Sequence, residues 1–383
     1  MSTKKRIMLF TDWYEPGFRA GGPIRSCVNF VQHMQDRYKI LVFTSDRDLE
    51  SKESYDNIPL DSWTPANGKA DVHLYYCSPG KLTYKNIRKQ IRDLAPEFIY
   101  LNSMFSRNFS LYPVMIHRTA ALRSKLILAP RGMLRASAVQ FKWVKKKIFL
   151  SLFRIMGFPR KIHFQATDET EVGDIQKFFG RSADITMLTN FPALVSESLV
   201  PISKTPGMLR MIFIGRIHPI KNLDYLLGSL MNLSAVIELS IIGSMEDAAY
   251  WSKCQEIIRS LGSNISVNYL GEMPAAEIPL RIQEHHLFIL PTRGENFGHA
   301  ILEALLQGRP VLISDQTPWK NLEQRKAGWD LPLDEQALFQ KKIEQVASMN
   351  QMEFDDLSLH ARQYAEAFME AKNLKEEYQK LFN

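Results

Sequence analysis

Two pairs of ionisable side chains stand where the chain passes from a strand into a helix. The first pair closes the run Glu295-Asn-Phe-Gly-His-Ala-Ile-Leu-Glu303. The apolar stretch Leu287 to Pro291 reads as a buried strand, and a helix follows from about Gly298 to Gln307, stopped by Gly308 and Pro310. A further apolar run, Pro310 to Ser314, completes a βαβ unit whose strand end and helix start share one rim. A helix start carries roughly half a positive charge and free N–H groups, so the amides near Phe297, Gly298 and His299 can receive a phosphate or hydroxyl oxygen. Gly298 allows close approach to the backbone. Glu303 has apolar neighbours, so its carboxylate needs a partner, and ribose hydroxyls would serve. Glu295 in the preceding loop, beside Asn296, can accept hydrogen bonds from a bound sugar. Taken singly, either Glu fits an ordinary surface-helix cap equally well.

The second pair lies upstream in Arg210-Met-Ile-Phe-Ile-Gly-Arg216-Ile-His-Pro-Ile-Lys221-Asn-Leu. Leu223, Leu226, Leu227 and Leu230 give the helix after it an apolar face. A cation beside a helix start opposes the macrodipole, so Arg216 and Lys221 make sense together if an anion binds between them. Arginine grips a diphosphate through two parallel hydrogen bonds and lysine adds a point charge, a combination able to stabilise a departing nucleoside diphosphate.

With these residues in order, the sequence resembles the retaining glycosyltransferases of family 4, which have the two-domain GT-B fold, and the resemblance spans nearly the whole chain. The family's Gly-Arg-x4-Lys matches Gly215, Arg216 and Lys221, and its Glu-x7-Glu matches Glu295 and Glu303. Its glycine-rich loop resembles Gly17, Gly21 and Gly22, followed by a helix with Pro23 at its first position. Arg131-Gly-Met-Leu and Ser314-Asp-Gln-Thr-Pro-Trp319 resemble a branch that builds bacterial surface polysaccharide and lipopolysaccharide. The resemblance implies catalytic roles for Arg216, Lys221 and Glu295. It implies a donor site of Gly21, Gly22, Gly215, Asn296, Phe297, Gly298 and Glu303 with them. A nucleoside-diphosphate sugar would be the co-substrate, with no tightly bound cofactor, no metal site and no metal requirement. The acceptor would be a saccharide or lipid-linked saccharide, attacked in a cleft between the domains with retention of configuration. The sequence departs from the pattern at Asn102 and Arg131, which stand where many members carry histidine, and at Asn190-Phe191-Pro192, where Asn-Gly is frequent. Acceptor-side candidates are therefore Trp13, Tyr14, Asn102, Arg107, Arg131 and Arg135.

The elements that must position these residues alternate strand and helix in both halves. Strands are expected at Arg6 to Thr11, Lys39 to Thr44, Asp71 to Tyr76, Phe98 to Leu101, Lys125 to Ala129 and His163 to Ala166. In the second half they are expected at Met211 to Gly215, Glu238 to Ile242, Ser266 to Leu270, Leu287 to Leu290 and Val311 to Ser314. This is an α/β chain with two Rossmann-like, doubly wound parallel sheets. Residues 1–190 would form the acceptor-side domain and 191–365 the donor domain, joined near Thr189 to Pro206. The last helix, about 366–383, would fold back on the first domain, as in relatives. A length of 383 residues with 45% hydrophobic content suffices for two cores.

Cys27, Cys77 and Cys254 show neither metal-ligand nor disulfide spacing, which points to a reducing compartment. The amino-terminal apolar run is too short for a secretory signal, and no segment approaches the ~20 apolar residues of a spanning helix. A cytoplasmic protein, or one attached to the cytoplasmic face of the inner membrane, is expected. The net charge is +7. On a helix over Phe141 to Lys161, Phe141, Val144, Ile148 and Ile155 share one face, while Trp143, Lys146, Lys147, Leu150 and Arg154 share another. That basic face fits contact with anionic lipid, and equally a core-packed helix with a solvated basic side. No nucleic-acid-binding module accompanies the charge, so nucleic acid is not expected as a partner. Asp46-Arg-Asp48 spells D-x-D but reads as a loop, and His285-His286 lacks partners for a metal. G-x-G-x-x-G and G-x4-G-K-[ST] are both absent, which argues against nicotinamide and P-loop chemistry. Two rival readings remain: a sugar-nucleotide epimerase of the same fold, or a non-catalytic membrane-surface binding protein.

Overall fold

Short runs of Ile, Leu, Val and Phe form the inner strands, such as Phe98–Leu101, Leu287–Leu290 and Val311–Ser314, in which every residue is buried, as a parallel sheet covered on both faces requires. The structure, a computed structural model, describes residues 4–120, 122–140, 143–193, 199–370 and 373–383. It divides into two units, Met1–Phe191 with Asn373–Asn383, and Pro192–Lys372.

In the first unit the strands are β1 (Arg6–Phe10), β2 (Lys39–Ser45), β3 (Thr64–Ala66), β4 (Lys69–Cys77), β5 (Phe98–Leu101), β6 (Lys125–Leu128), β7 (His163–Ala166) and β8 (Asp184–Met187). They lie in the order β3-β4-β2-β1-β5-β6-β7-β8, and every pairing but one is parallel. The exception departs from the all-parallel expectation: β3 runs antiparallel to β4, because two residues join them and a crossover cannot be that short. Strand β8 is a further addition, at a sheet edge, with two exposed residues and no apolar run to announce it.

The second unit holds β9 (Met208–Ile214), β10 (Val236–Ile242), β11 (Ile265–Tyr269), β12 (Leu287–Leu290), β13 (Val311–Ser314) and β14 (Gly328–Leu331). Their order is β11-β10-β9-β12-β13-β14, all parallel. Strand β14 escapes a sequence reading because it opens on Gly328 and carries Asp330.

In each sheet the chain leaves a central strand in one direction and returns on its other side. The reversal falls between β1 and β5 in the first unit and between β9 and β12 in the second. Loops leaving adjacent carboxyl ends diverge there and open a crevice for ligands. The chain's end does not form one helix. Residues 366–370 continue the helix Gln351–Glu370 of the second unit, where Phe368 packs on Trp319 with ring centroids 4.6 Å apart. Helix Leu374–Leu381 is separate and belongs to the first unit.

Candidate functional site

In the second unit Gly215 and Arg216 follow β9, and the loop carrying Glu295 follows β12, so both signals reach the switch point. Local chemistry closes the distance between them. After β9 the chain makes a tight turn, Pro219–Lys221, in which the Ile220 N–H donates to His218 Nδ1 (3.2 Å) and the Lys221 N–H to the His218 carbonyl (2.9 Å). Asn222 then adopts the left-handed conformation that asparagine tolerates, with φ 59°. The loop after β12 is laced to this turn. The Arg293 N–H and the Thr292 hydroxyl both donate to the Ile220 carbonyl (2.7 and 3.0 Å), and Arg293 Nε donates to Asn222 Oδ1 (3.1 Å).

The result is an ion pair between Lys221 Nζ and Glu295 Oε1, each side chain only 15% exposed. The Lys221 stem lies beside Gly215, where a Cβ would sit 3.5 Å from Lys221 Cγ. Arg216, the next residue, is half-exposed and donates to Glu246 Oε2 at 2.5 Å. Glu246 is a residue that sequence reasoning missed. Its only signal was its place in the loop after β10, the strand next to β9.

Gly243 was also missed. A Cβ there would lie 2.0 Å from the Gly215 carbonyl oxygen, so glycine is what lets the end of β10 approach the cation-bearing loop. Gly298 takes φ 77°, and its added Cβ would meet Ile301 Cδ1 at 2.8 Å. Backbone conformation and interior contact thus both demand glycine, apart from any ligand. The Phe297 ring is buried against Trp319 and Phe368, so Phe297 can present only its backbone to a ligand, and its carbonyl accepts from Trp319 Nε1 at 2.6 Å. Glu295 is held by its own N–H, which donates to the Gln316 carbonyl at 3.1 Å, with Asn296 following it in the same loop. Glu303 is buried in helix His299–Leu306.

In the first unit Tyr100 of β5 and residues after β5, β6 and β8 assemble a polar cluster. Arg131, in a left-handed conformation with φ 56°, donates from Nη2 to Asn102 Oδ1 (2.6 Å) and to the Tyr100 hydroxyl (2.7 Å), and also reaches Asn190. Burial alone would lower the guanidinium pKa, but the neighbouring Tyr100, Tyr378, Cys27 and Glu171 together outweigh it and hold the pKa above its ordinary value. Asn102 is buried, so its carboxamide serves this network. Arg135 pairs with Asp168 at 2.5 Å, and Asp168 also caps helix Glu169–Phe179. Arg107 is apart from the cluster, over the Tyr112 ring. Trp13 packs on the core and Tyr14 is buried within it.

Asp12, two residues beyond the end of β1, was missed. It accepts from the Ser106 hydroxyl at 2.7 Å, and burial raises its pKa. The glycine-rich loop is fixed by the D-x-D aspartate: Asp48 Oδ2 accepts from the Phe18 and Arg19 N–H groups (2.7 and 3.0 Å). Gly21 caps helix Gly22–Met34 with φ 61°, and Pro23 falls one position later than expected. His285 and His286 are buried and hydrogen-bonded internally. Among the described residues no group of three His, Cys, Asp or Glu is placed to hold a metal ion, and no helix is long and apolar enough to cross a membrane.

The basic helix needs correction. In helix Trp143–Ile155, Leu150 is buried in the core, and Lys146 turns inward to donate to the Ala138 carbonyl at 2.7 Å. Neither can form a surface with Trp143, Lys147 and Arg154, because the side seated on the core is the one they occupy. Phe141 lies outside the described residues.

Residues 209–348, which include both pairs of charged residues, match the family model described as glycosyl transferases group 1. No curated protein matches the chain. Among solved structures, sucrose-phosphate synthase from Thermosynechococcus elongatus is similar at 12% identity and TM-score 0.72, over 99% of this chain and 98% of that one. Anabaena HepE in complex with UDP and glucose is similar at 15% identity and TM-score 0.70, over 99% of each chain. WaaG, a glycosyltransferase involved in lipopolysaccharide biosynthesis, is similar at 14% identity and TM-score 0.64, over 98% of each. At such identities the likeness shows the fold: two Rossmann-like units of the GT-B type.

Proposed function

We propose that this protein is a retaining glycosyltransferase. It transfers a sugar from a nucleoside-diphosphate donor to a hydroxyl of a saccharide or lipid-linked saccharide, in the making of bacterial surface polysaccharide at the cytoplasmic face of the membrane. The observation that carries the reading is the meeting of Lys221 with Glu295 beside Gly215 and Arg216, at the switch point of a unit that matches the group 1 family model. In this reading the anomeric carbon breaks its bond to the diphosphate oxygen and forms one to the acceptor oxygen. The acceptor proton passes to a phosphate oxygen of the leaving group. Arg216 and Lys221 neutralise the charge gathering on the diphosphate, where Lys221 exchanges Glu295 for phosphate, and Glu295 turns to the sugar hydroxyls. Glu303 takes the ribose. Neutralisation by these side chains assigns no role to a metal.

UDP is the first nucleotide to test, since HepE is described in complex with it. Thermal unfolding with UDP, GDP, ADP, CMP or dTDP should show one nucleotide stabilising the wild type, by about 2.7 kcal/mol at 100 times its Kd. Arg216→Ala should lose that gain. Transfer should fall on the order of 100-fold or more in Arg216→Ala and in Glu295→Gln, with melting in the absence of nucleotide unchanged in Arg216→Ala. Near wild-type transfer in both variants would sink the assignment, and donor turnover without acceptor would make the protein an epimerase.

A further inference from the structure

The charge of this chain is unevenly distributed. Residues 98–167 contain thirteen Lys and Arg and no Asp or Glu, while the rest of the chain holds 35 Lys and Arg against 41 Asp and Glu. The whole positive excess therefore comes from one stretch of the first unit, and helix Trp143–Ile155 lies within it.

Leu150 and Phe153 seat that helix on the core. On the opposite side Val144, Ile148, Leu152 and Ile155, at spacings of four, four and three, are 51%, 56%, 54% and 79% exposed. Four large aliphatic side chains in one outward row are an unusual thing to leave in water. Helical geometry puts Lys147 and Arg154 along one flank of this ridge and Lys145 along the other. Trp143 stands half-exposed at its start, with Lys147 Nζ 4.6 Å from the ring centroid.

We propose that this ridge is a membrane-docking surface: Val144, Ile148, Leu152 and Ile155 enter the acyl boundary of an anionic bilayer while the flanking cations meet lipid phosphates. An apolar ridge between cationic flanks, with an aromatic side chain at its end, is what partition into an anionic lipid interface requires. Charge argues against the other occupants. A second copy pairing by the same face would set these cations against their own images. A nucleic acid would satisfy the cations and leave the aliphatic row in water. The surface extends the acceptor side of the proposed function but is read without donor or acceptor, so the two stand or fall separately.

The test is co-sedimentation of the full chain with phosphatidylcholine vesicles, with or without about 30% phosphatidylglycerol. Binding is expected to the anionic vesicles only, with a blue shift of emission that Trp143→Phe removes. Ile148→Ser/Leu152→Ser should weaken binding about tenfold or more with melting unchanged, since both side chains are exposed. Should that variant fail to fold, Lys145→Gln/Lys147→Gln and the Trp143 emission decide in its place. No binding to anionic vesicles, equal binding by the double serine variant, self-association that this variant abolishes, or retention on nucleic acid but not on vesicles would each overturn the proposal. Vesicle binding without nucleotide stabilisation would sink the transferase reading and leave this one standing.

Discussion

Two side chains, Lys221 and Glu295, lie 74 positions apart and come together through ordinary turn chemistry. Because each is only 15% exposed, removing one strands the other's charge. Lys221→Met should therefore destabilise the protein by roughly 1–3 kcal/mol, and Lys221→Met/Glu295→Gln should recover part of that loss. Urea unfolding of the two single variants and the double measures this, and strictly additive losses would argue against the pair. A second prediction concerns pH. His286 accepts the Arg210 N–H at Nδ1 (3.0 Å) and donates from Nε2 to the Ser203 carbonyl (2.9 Å), so both ring nitrogens are committed to the neutral form. Burial, the larger cause, drives its pKa down to about 4, and lowers that of His285 as well. An unfolded histidine takes up its proton near pH 6.5, so the unfolded chain binds more protons in this window. The stability these histidines contribute is thus complete above pH 6.5 and is lost as pH falls from there towards 4, by roughly 2–3 kcal/mol for His286. Melting scans across that window should show the slope, shallower in His286→Gln.

Elements carry the next level of the site, and glycines set how closely they approach. Gly243→Ala would drive a methyl to 2.0 Å from a backbone oxygen of the loop that holds Arg216. Backbone cannot yield as a flexible side chain does, so the end of β10 must move away. We expect a loss of several kcal/mol in stability and, in whatever folds, loss of nucleotide binding. Gly298→Ala is milder. It asks alanine to hold φ 77° and presses on Ile301, a flexible neighbour, for a cost of about 1–2 kcal/mol. Its effect on transfer should exceed its effect on melting, because the turn at residue 298 aims the first amides of helix His299–Leu306. Equal transfer in Gly298→Ala and wild type would remove that turn from the site.

At the scale of the whole molecule, the chain's last residues complete its first unit. Phe382 is fully buried, with its ring 5.4–5.8 Å from those of Phe30, Tyr38, Phe98 and Tyr100. Tyr378 accepts from Gln165 Nε2 at 2.7 Å and donates to the Thr189 carbonyl at 3.0 Å. Phe382→Ala should cost about 3–5 kcal/mol, and residues 1–191 made alone should melt lower than the same unit in the full chain. A truncated first unit as stable as the intact one would refute this. Much of this protein was legible in the order of its residues. Alternating apolar runs and helical patterns announced the doubly wound sheets, since burial on both faces leaves strands few residue types to use. The spacing of Arg216, Lys221, Glu295 and Glu303 marked out a candidate site, because each pair is written within a short stretch of chain. Tertiary structure alone decided which groups meet: Lys221 with Glu295, Arg216 with Glu246, Asp48 with the glycine-rich loop. It also decided which side of helix Trp143–Ile155 faces outward. Helical periodicity offers two faces, and only the core beneath, where Leu150 and Phe153 found room, chooses between them.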